Sequence, residues 1–132
     1  MTEIEVRTHQ RTELVSITDR VRQAVRESGV EDGICTIYVP HTTAGLTINE
    51  SADPMVPHDI LHVVDRVIPF KDSGYRHMED NSAAHIKACL FGCSETVLVS
   101  NGRLLLGTWQ GIFFCEFDGP RSRRVYLKVM KG

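Results

Sequence analysis

Five of the six histidines in this 132-residue chain, His41, His58, His62, His77 and His85, fall between positions 41 and 85. Three of them have neighbours suited to chemistry: His41 opens His41-Thr42-Thr43-Ala44-Gly45, His77 precedes Met78-Glu79-Asp80-Asn81, and His85 closes Asn81-Ser82-Ala83-Ala84-His85. Neutral imidazole is the commonest protein ligand for zinc and related ions, so the first expectation is a divalent-metal centre. His77 and His85 can face each other across a loop-to-helix junction, and His41 can arrive from the end of a neighbouring strand. Three imidazoles with an open fourth position would be a catalytic arrangement. The competing reading is a set of exposed or hydrogen-bonded histidines without a metal. His58 and His62 stand four apart on an expected helix and share a side, but Asp59 follows His58 where a zinc-protease helix carries glutamate. A solvated helix face accounts for that pair better.

Asn49, Glu50 and Asp53 form a polar group between an expected strand and an expected helix. A carboxylate there can act as general base, bind a metal through water, or cap the helix; capping explains Asp53 as readily as catalysis does, and Glu50 less readily. In Gly107-Thr108-Trp109-Gln110-Gly111, two glycines flank a hydroxyl, the single tryptophan and an amide. They suit either close approach of backbone to a ligand or a β-bulge. Asp118-Gly119-Pro120-Arg121 reads as a turn from which Arg121, with Arg123, could fork onto a phosphate or carboxylate, or simply shield an edge strand.

The elements that must position these groups follow from periodicity. Ile4, Val6 and Thr8, then Leu14, Val15 and Ile17, predict two short strands. Thr18-Asp19 opens a helix with Val21, Ala24 and Val25 inward, stopped by Gly29. Ile34–Val39 is a strand ending at Pro40, so it delivers His41 to its carboxyl end, and Leu46–Asn49 continues as another. Pro54 opens a helix over 55–67 with Val56, Ile60, Val63, Val64 and Val67 on its apolar side. Residues 70–80 read as a loop, and Asn81 or Ser82 caps a third helix ending near Gly92. The remainder is β again: 96–100, a hairpin turn at Asn101-Gly102, 104–106, 111–117 and 125–129. The predicted fold is α+β, a mostly antiparallel sheet of seven or eight strands with two or three helices on one face. Ile112, Phe113, Phe114 and Phe117 make one strand apolar on both sides, which calls either for a subunit contact over the second face, the expectation here, or for cover by helices and a loop.

The length suits one domain spanning 1–132, able to bury roughly two-thirds of its unfolded surface. Cys35, Cys89, Cys93 and Cys115 contain no C-x-x-C pair and read as free thiols. With no apolar run of membrane-spanning length and no signal-peptide pattern at the N-terminus, the expectation is a cytoplasmic protein without a membrane partner. Fifteen Lys and Arg against 17 Asp and Glu give a net charge of -2, and basic residues are not interleaved with aromatics, which argues against nucleic acid.

Taken together, His41 through Glu50 with Asp53, Asn81 through Lys87, Gly107 through Ile112 and Asp118 through Arg121 resemble the YjbQ family of secondary thiamine-phosphate synthase enzymes, in the same order and over nearly the whole chain. The resemblance implies a small α+β protein assembling as a homotrimer, with a polar cleft holding the histidines. It also implies a weak ability to join a pyrimidine methyl diphosphate to a thiazole phosphate with loss of diphosphate. Carried over by position, His41, Asn49, Glu50, Asp53, His77, His85, Gln110 and Arg121 are its site candidates. The resulting expectation is a metal-dependent enzyme acting on a small phosphorylated or anionic metabolite. Its ligands would be His41, His77 and His85 holding zinc, with manganese or iron also suited. Glu50 or Asp53, beside Asn49, would be the base, and Thr108, Gln110 and Arg121 would hold substrate. Such histidine-rich ligation suits magnesium poorly, because magnesium prefers oxygen. A non-catalytic trimeric module that captures a small anion or a metal is the alternative.

Overall fold

Alternating and β-branched runs set the strands, and the computed structural model describes all of residues 1–132. The strands are β1 (Thr2–Arg7), β2 (Glu13–Ser16), β3 (Asp32–Tyr38), β4 (Ala44–Glu50), β5 (Ser94–Ser100), β6 (Arg103–Leu104), β7 (Gln110–Glu116) and β8 (Ser122–Lys131). The helices are α1 (Thr18–Ser28), α2 (Met55–Val67) and α3 (Ser82–Phe91). The α+β antiparallel class expected from the sequence is the one found, but the eight strands divide into two sheets, one in the order β1-β8-β3-β5-β6 and one in the order β2-β7-β4. Their inward residues meet in one cluster of 17 buried side chains, among them Val6, Ile37, Leu46, Val99, Phe114 and Leu127.

The helices do not share one face. Val21, Ala24 and Val25 insert α1 into that core, where it touches β6 and β8 of one sheet and β7 of the other and closes the gap between them. Helix α3 packs on β4, and α2 touches β2. Ala84, Ala88, Phe91 and Leu61 cover Cys115 and Phe117 on the outer side of β7. The second apolar face of β7 is therefore covered within the chain, which corrects the expected subunit contact there.

The glycine stop and the hairpin turn acted as their chemistry requires, whereas the expected side-chain caps did not form. Gly29 ends α1 in the left-handed conformation with φ 70°. Asn101 and Gly102 both have positive φ, 54° and 73°, and join β5 to β6 as a two-residue hairpin. Neither Thr18 nor Asn81 caps a helix with its side chain; Thr18 Oγ1 instead accepts the N–H of Ile112 at 2.9 Å, tying α1 to β7. All four cysteines are free, and burial pushes the Cys35 thiol up to about 11. No helix is long and apolar enough to cross a membrane.

The outer face of the larger sheet has no helix over it. Pairing aligns Leu98 with Ile34 and Ile34 with Met130 across three strands, and sets Tyr38 beside Tyr126. Tyr38 is 48%, Leu98 56% and Met130 40% exposed.

Candidate functional site

Most of the candidate residues lie at or just beyond strand ends, and the register of the smaller sheet decides which of them come together. Ala44 pairs with Glu116 at one end of β4 and Glu50 pairs with Gln110 at the other, six strand steps or about 20 Å apart. His41 and the Asp118–Arg121 turn flank the first end; Glu50, Asp53, Thr108 and Gln110 gather at the second. Within one chain the candidate residues thus form two groups.

At the first end, the loop from Ile68 to Asp80 is shaped by an Asx turn in which Asp72 accepts the N–H of Gly74 at 2.7 Å, and by the Tyr75 hydroxyl donating to the Pro69 carbonyl at 2.7 Å. This loop carries His77 to His85, which lies in the first turn of α3. The two rings meet edge to face, centroids 5.3 Å apart and planes at 88°, and Glu79 approaches His77 Nε2 at 3.8 Å. His77 also lines a polar cavity of about 450 Å3 with Lys71, Asp72, Tyr75, Asp80 and Ser82. Asn81 directs its side-chain N–H at Asp118, 3.0 Å away, leaving its buried oxygen without a partner.

His41 is not part of this pair. Its Nε2 accepts the backbone N–H of Arg124 at 3.0 Å, filling the place on β8 that β3 vacates after Tyr38. A ring accepting at Nε2 carries its one proton on Nδ1 and cannot ligate a metal without breaking that bond. Burial and the nearby Arg123 guanidinium hold its basicity below the ordinary histidine value. No group of three or more His, Cys, Asp and Glu side chains in the chain is placed to hold a metal ion. His77 and His85 supply two donors, and the expected triad of His41, His77 and His85 does not assemble within the chain.

Arg121 does not project as a free fork. Its Nε donates to the Asp118 carbonyl and one terminal nitrogen to the Asp118 carboxylate, both at 3.0 Å, leaving the other terminal nitrogen for a ligand on a half-exposed side chain. Arg123, its expected companion, is buried at 3% exposure and bound to Glu116, itself fully buried. Thr8 donates to that carboxylate at 2.8 Å, the Asp118 N–H at 3.0 Å, and Arg123 also reaches Thr43 Oγ1 at 2.9 Å. Burial raises the Glu116 carboxyl, but these donors and the Arg123 charge outweigh it and hold the group below the usual carboxylate range. This cluster anchors the Asp118 turn and escaped the sequence reading. Its signal was present: Ile112, Phe114 and Glu116 share the inward parity of β7, so a carboxylate there requires a buried cation.

At the second end, local backbone claims each carboxylate. Glu50 accepts the Ala52 N–H at 3.0 Å, Asp53 accepts that of Met55 at 2.9 Å as a cap for α2, and Asn49 Oδ1 accepts that of Glu50 at 2.8 Å. Gln110 closes its own loop, accepting the Gly107 N–H at 2.8 Å. Gly111 is a close-approach glycine: a Cβ there would lie 2.5 Å from Ser51 Cβ, so its intimate neighbour is protein. His58 and His62 stack at 6.3 Å on the exposed side of α2, with Asp59 at 2.9 Å from His58, and lie outside both groups.

The model of the family described as UPF0047 protein YjbQ-like matches residues 2–132. The chain belongs to the YjbQ-like family. A UPF0047 protein of Methanocaldococcus jannaschii is 56% identical over 126 residues, covering 96% of this chain and 91% of its own. The UPF0047 protein YugU of Bacillus subtilis is 52% identical over 127 residues, covering 96% of each. Among solved structures, an uncharacterised YjbQ/UPF0047 protein of Clostridium acetobutylicum superposes with a TM-score of 0.96 at 51% identity, covering 98% of this chain and 100% of that one. A protein of unknown function from Sulfolobus solfataricus gives 0.95 at 37% identity, covering 99% and 96%. Both the fold and the sequence of this YjbQ-like chain are thus matched from end to end.

Proposed function

We propose that this YjbQ-like chain is an enzyme for a small phosphorylated or anionic metabolite, with its working cleft completed between copies of a homotrimer. The observation that carries this reading is the division of the candidate residues into two groups about 20 Å apart along β4, since a second copy can bring the Glu50 end of one chain to the histidine end of the next. The uncovered sheet face of Ile34, Tyr38, Leu98, Tyr126 and Met130 supplies apolar surface for such a contact. The reaction we assign is the weak thiamine-phosphate synthase activity that the family resemblance implies. In it, the thiazole nitrogen displaces diphosphate from the pyrimidine methylene, forming the C–N bond as the C–O bond breaks. The free terminal nitrogen of Arg121 can hold a departing oxygen, and the His77–His85 pair can move a proton to it. A site of imidazoles, without the acidic cluster that gathers magnesium, suits this as a side activity beside a different main reaction.

A divalent ion, zinc foremost and manganese or iron next, belongs to the proposal only as an ion shared between chains. His77 and His85 give two donors where a catalytic zinc takes three from protein, so no step is routed through it. One observation favours the second reading, a trimeric module that binds a small anion without turnover: Glu50 and Asp53 are already engaged by backbone N–H groups.

The test is thiamine-phosphate formation and bound metal in untagged protein purified without chelator, comparing wild type, Glu50→Gln and His77→Ala/His85→Ala. Turnover lost in both variants with trimers intact supports the enzyme. Unchanged turnover in both, or none in the wild type beside saturable anion binding, overturns it in favour of the module. Stoichiometric metal lost with the two histidines supports the shared ion; a metal-free active wild type removes it.

A further inference from the structure

Far from the histidines, the second half of α1 and the β5–β6 hairpin enclose a hollow of about 460 Å3 lined by Arg22, Arg26, Gly102, Arg103 and Leu104. We infer that this hollow is a binding site for a small multiply charged phosphate compound. Three of its five lining residues carry guanidiniums, which stay charged at any ordinary pH, and none carries a carboxylate. Arg26 and Arg103 have no ion-pair partner, and Arg22 reaches only Asp19, at 3.5 Å, on a carboxylate that is 97% exposed. The Glu31 carboxylate lies beside Gly102 but forms no ion pair with any of the three. The chain's net charge is -2, so the cluster stands against the general charge of the molecule.

Like charges gathered in one concave space repel, and an anion with several oxygens relieves them together, each guanidinium offering a planar pair of donors that matches phosphate. The volume falls in the range of small-molecule sites and exceeds what one phosphate group fills. No aromatic side chain lines it to stack a base, which sets it apart from a single-stranded nucleic-acid surface. It also lies at the opposite end of β3 and β5 from His41: the hairpin leaves β5 beside Asp32, whereas the loop to His41 leaves beside Tyr38.

The experiment is titration of the assembled protein with inorganic pyrophosphate at constant ionic strength, followed by backbone amide shifts and calorimetry. Saturable binding with shifts centred on Arg22–Gly29 and Asn101–Leu104 is expected. It should weaken about tenfold for each guanidinium removed in Arg26→Gln and Arg103→Gln, and remain unchanged in Arg7→Gln and in His77→Ala/His85→Ala. Persistence of the hollow's shifts in Arg121→Gln, which removes the guanidinium proposed to hold diphosphate in the active cleft, separates this site from that cleft. The inference is overturned if pyrophosphate shifts no amide in the hollow, if Arg7→Gln weakens binding as much as Arg26→Gln, or if a single-stranded RNA oligomer displaces pyrophosphate more tightly than pyrophosphate itself binds.

Discussion

His41 shows how far a residue's type and its use can diverge. Its strand-end position was legible because Pro40 ends the β-rich run, but its partner, the N–H of Arg124, lies 83 residues away and no local pattern announces it. The bond commits the ring to the neutral form protonated on Nδ1. A histidine whose folded basicity is depressed contributes fully above its unfolded value, near pH 6.5, and that contribution is lost as pH falls from there through the folded value. His41→Ala should therefore cost about 1 kcal/mol at pH 7.5 and flatten the stability curve between pH 6.5 and its acid limb, measured by urea unfolding across pH. Nitrogen shifts of the wild-type ring should report an Nδ1–H tautomer; a persistent Nε2–H would overturn the assignment. Glu116 works in the opposite pH range. Its depressed carboxyl stabilises the fold above the ordinary carboxylate value and loses that effect as pH falls below it. Glu116→Gln leaves the Arg123 charge buried and should cost about 3–5 kcal/mol at neutral pH, with a smaller deficit at pH 3; an equal deficit at both would show that packing, not charge, is what the residue supplies.

At the scale of elements, periodicity located strands and helices well because each is written in consecutive residues: α2 spans Met55–Val67 as the apolar spacing and Pro54 predict. Which sheet a strand joins is written in pairing partners far along the chain, so one expected sheet became two, with β2 beside β7 and β1 beside β8. The same distance effect hid the division of the candidate site, which depends on the register of β4 against β7. Gly111 illustrates a signal that reads equally as close approach to a ligand or as a β-bulge, where the close neighbour is Ser51 of the chain itself. Gly111→Ala should cost about 1–3 kcal/mol through overlap with Ser51, read as a lowered unfolding midpoint; a neutral result would mean that Ser51 and its loop move aside freely. Helix α2 has the right apolar spacing yet no buried residue, with Val63 at 54% and Val67 at 72% exposure. Hydrogen exchange should find its amides among the least protected of the helices in any form where nothing covers it, and α1, anchored in the core, among the most.

For the whole molecule, the sequence indicated surplus apolar surface but assigned it to the wrong strand. The extra face of β7 is roofed by α2 and α3, and what stays bare is the outer side of the larger sheet, where Ile34, Leu98 and Met130 align across three strands. That surface touches nothing in the single chain, so a charge placed on it should leave the monomer's own stability nearly unchanged, within about 0.5 kcal/mol, while burying a charge inside any oligomer that uses it. Leu98→Lys, with its side chain already 56% exposed, separates the two effects. Sedimentation should show trimers for the wild type and monomers for the variant. Wild-type unfolding temperature should rise with protein concentration, as mass action requires of an assembled fold, and that of Leu98→Lys should not. Because the two groups of candidate residues lie about 20 Å apart along β4, the same substitution should abolish turnover although it touches none of them. Trimers that persist in Leu98→Lys would move the interface to another surface, with the exposed side of α2 next in line, and a monomeric variant with full activity would return the site to the histidine end of a single chain.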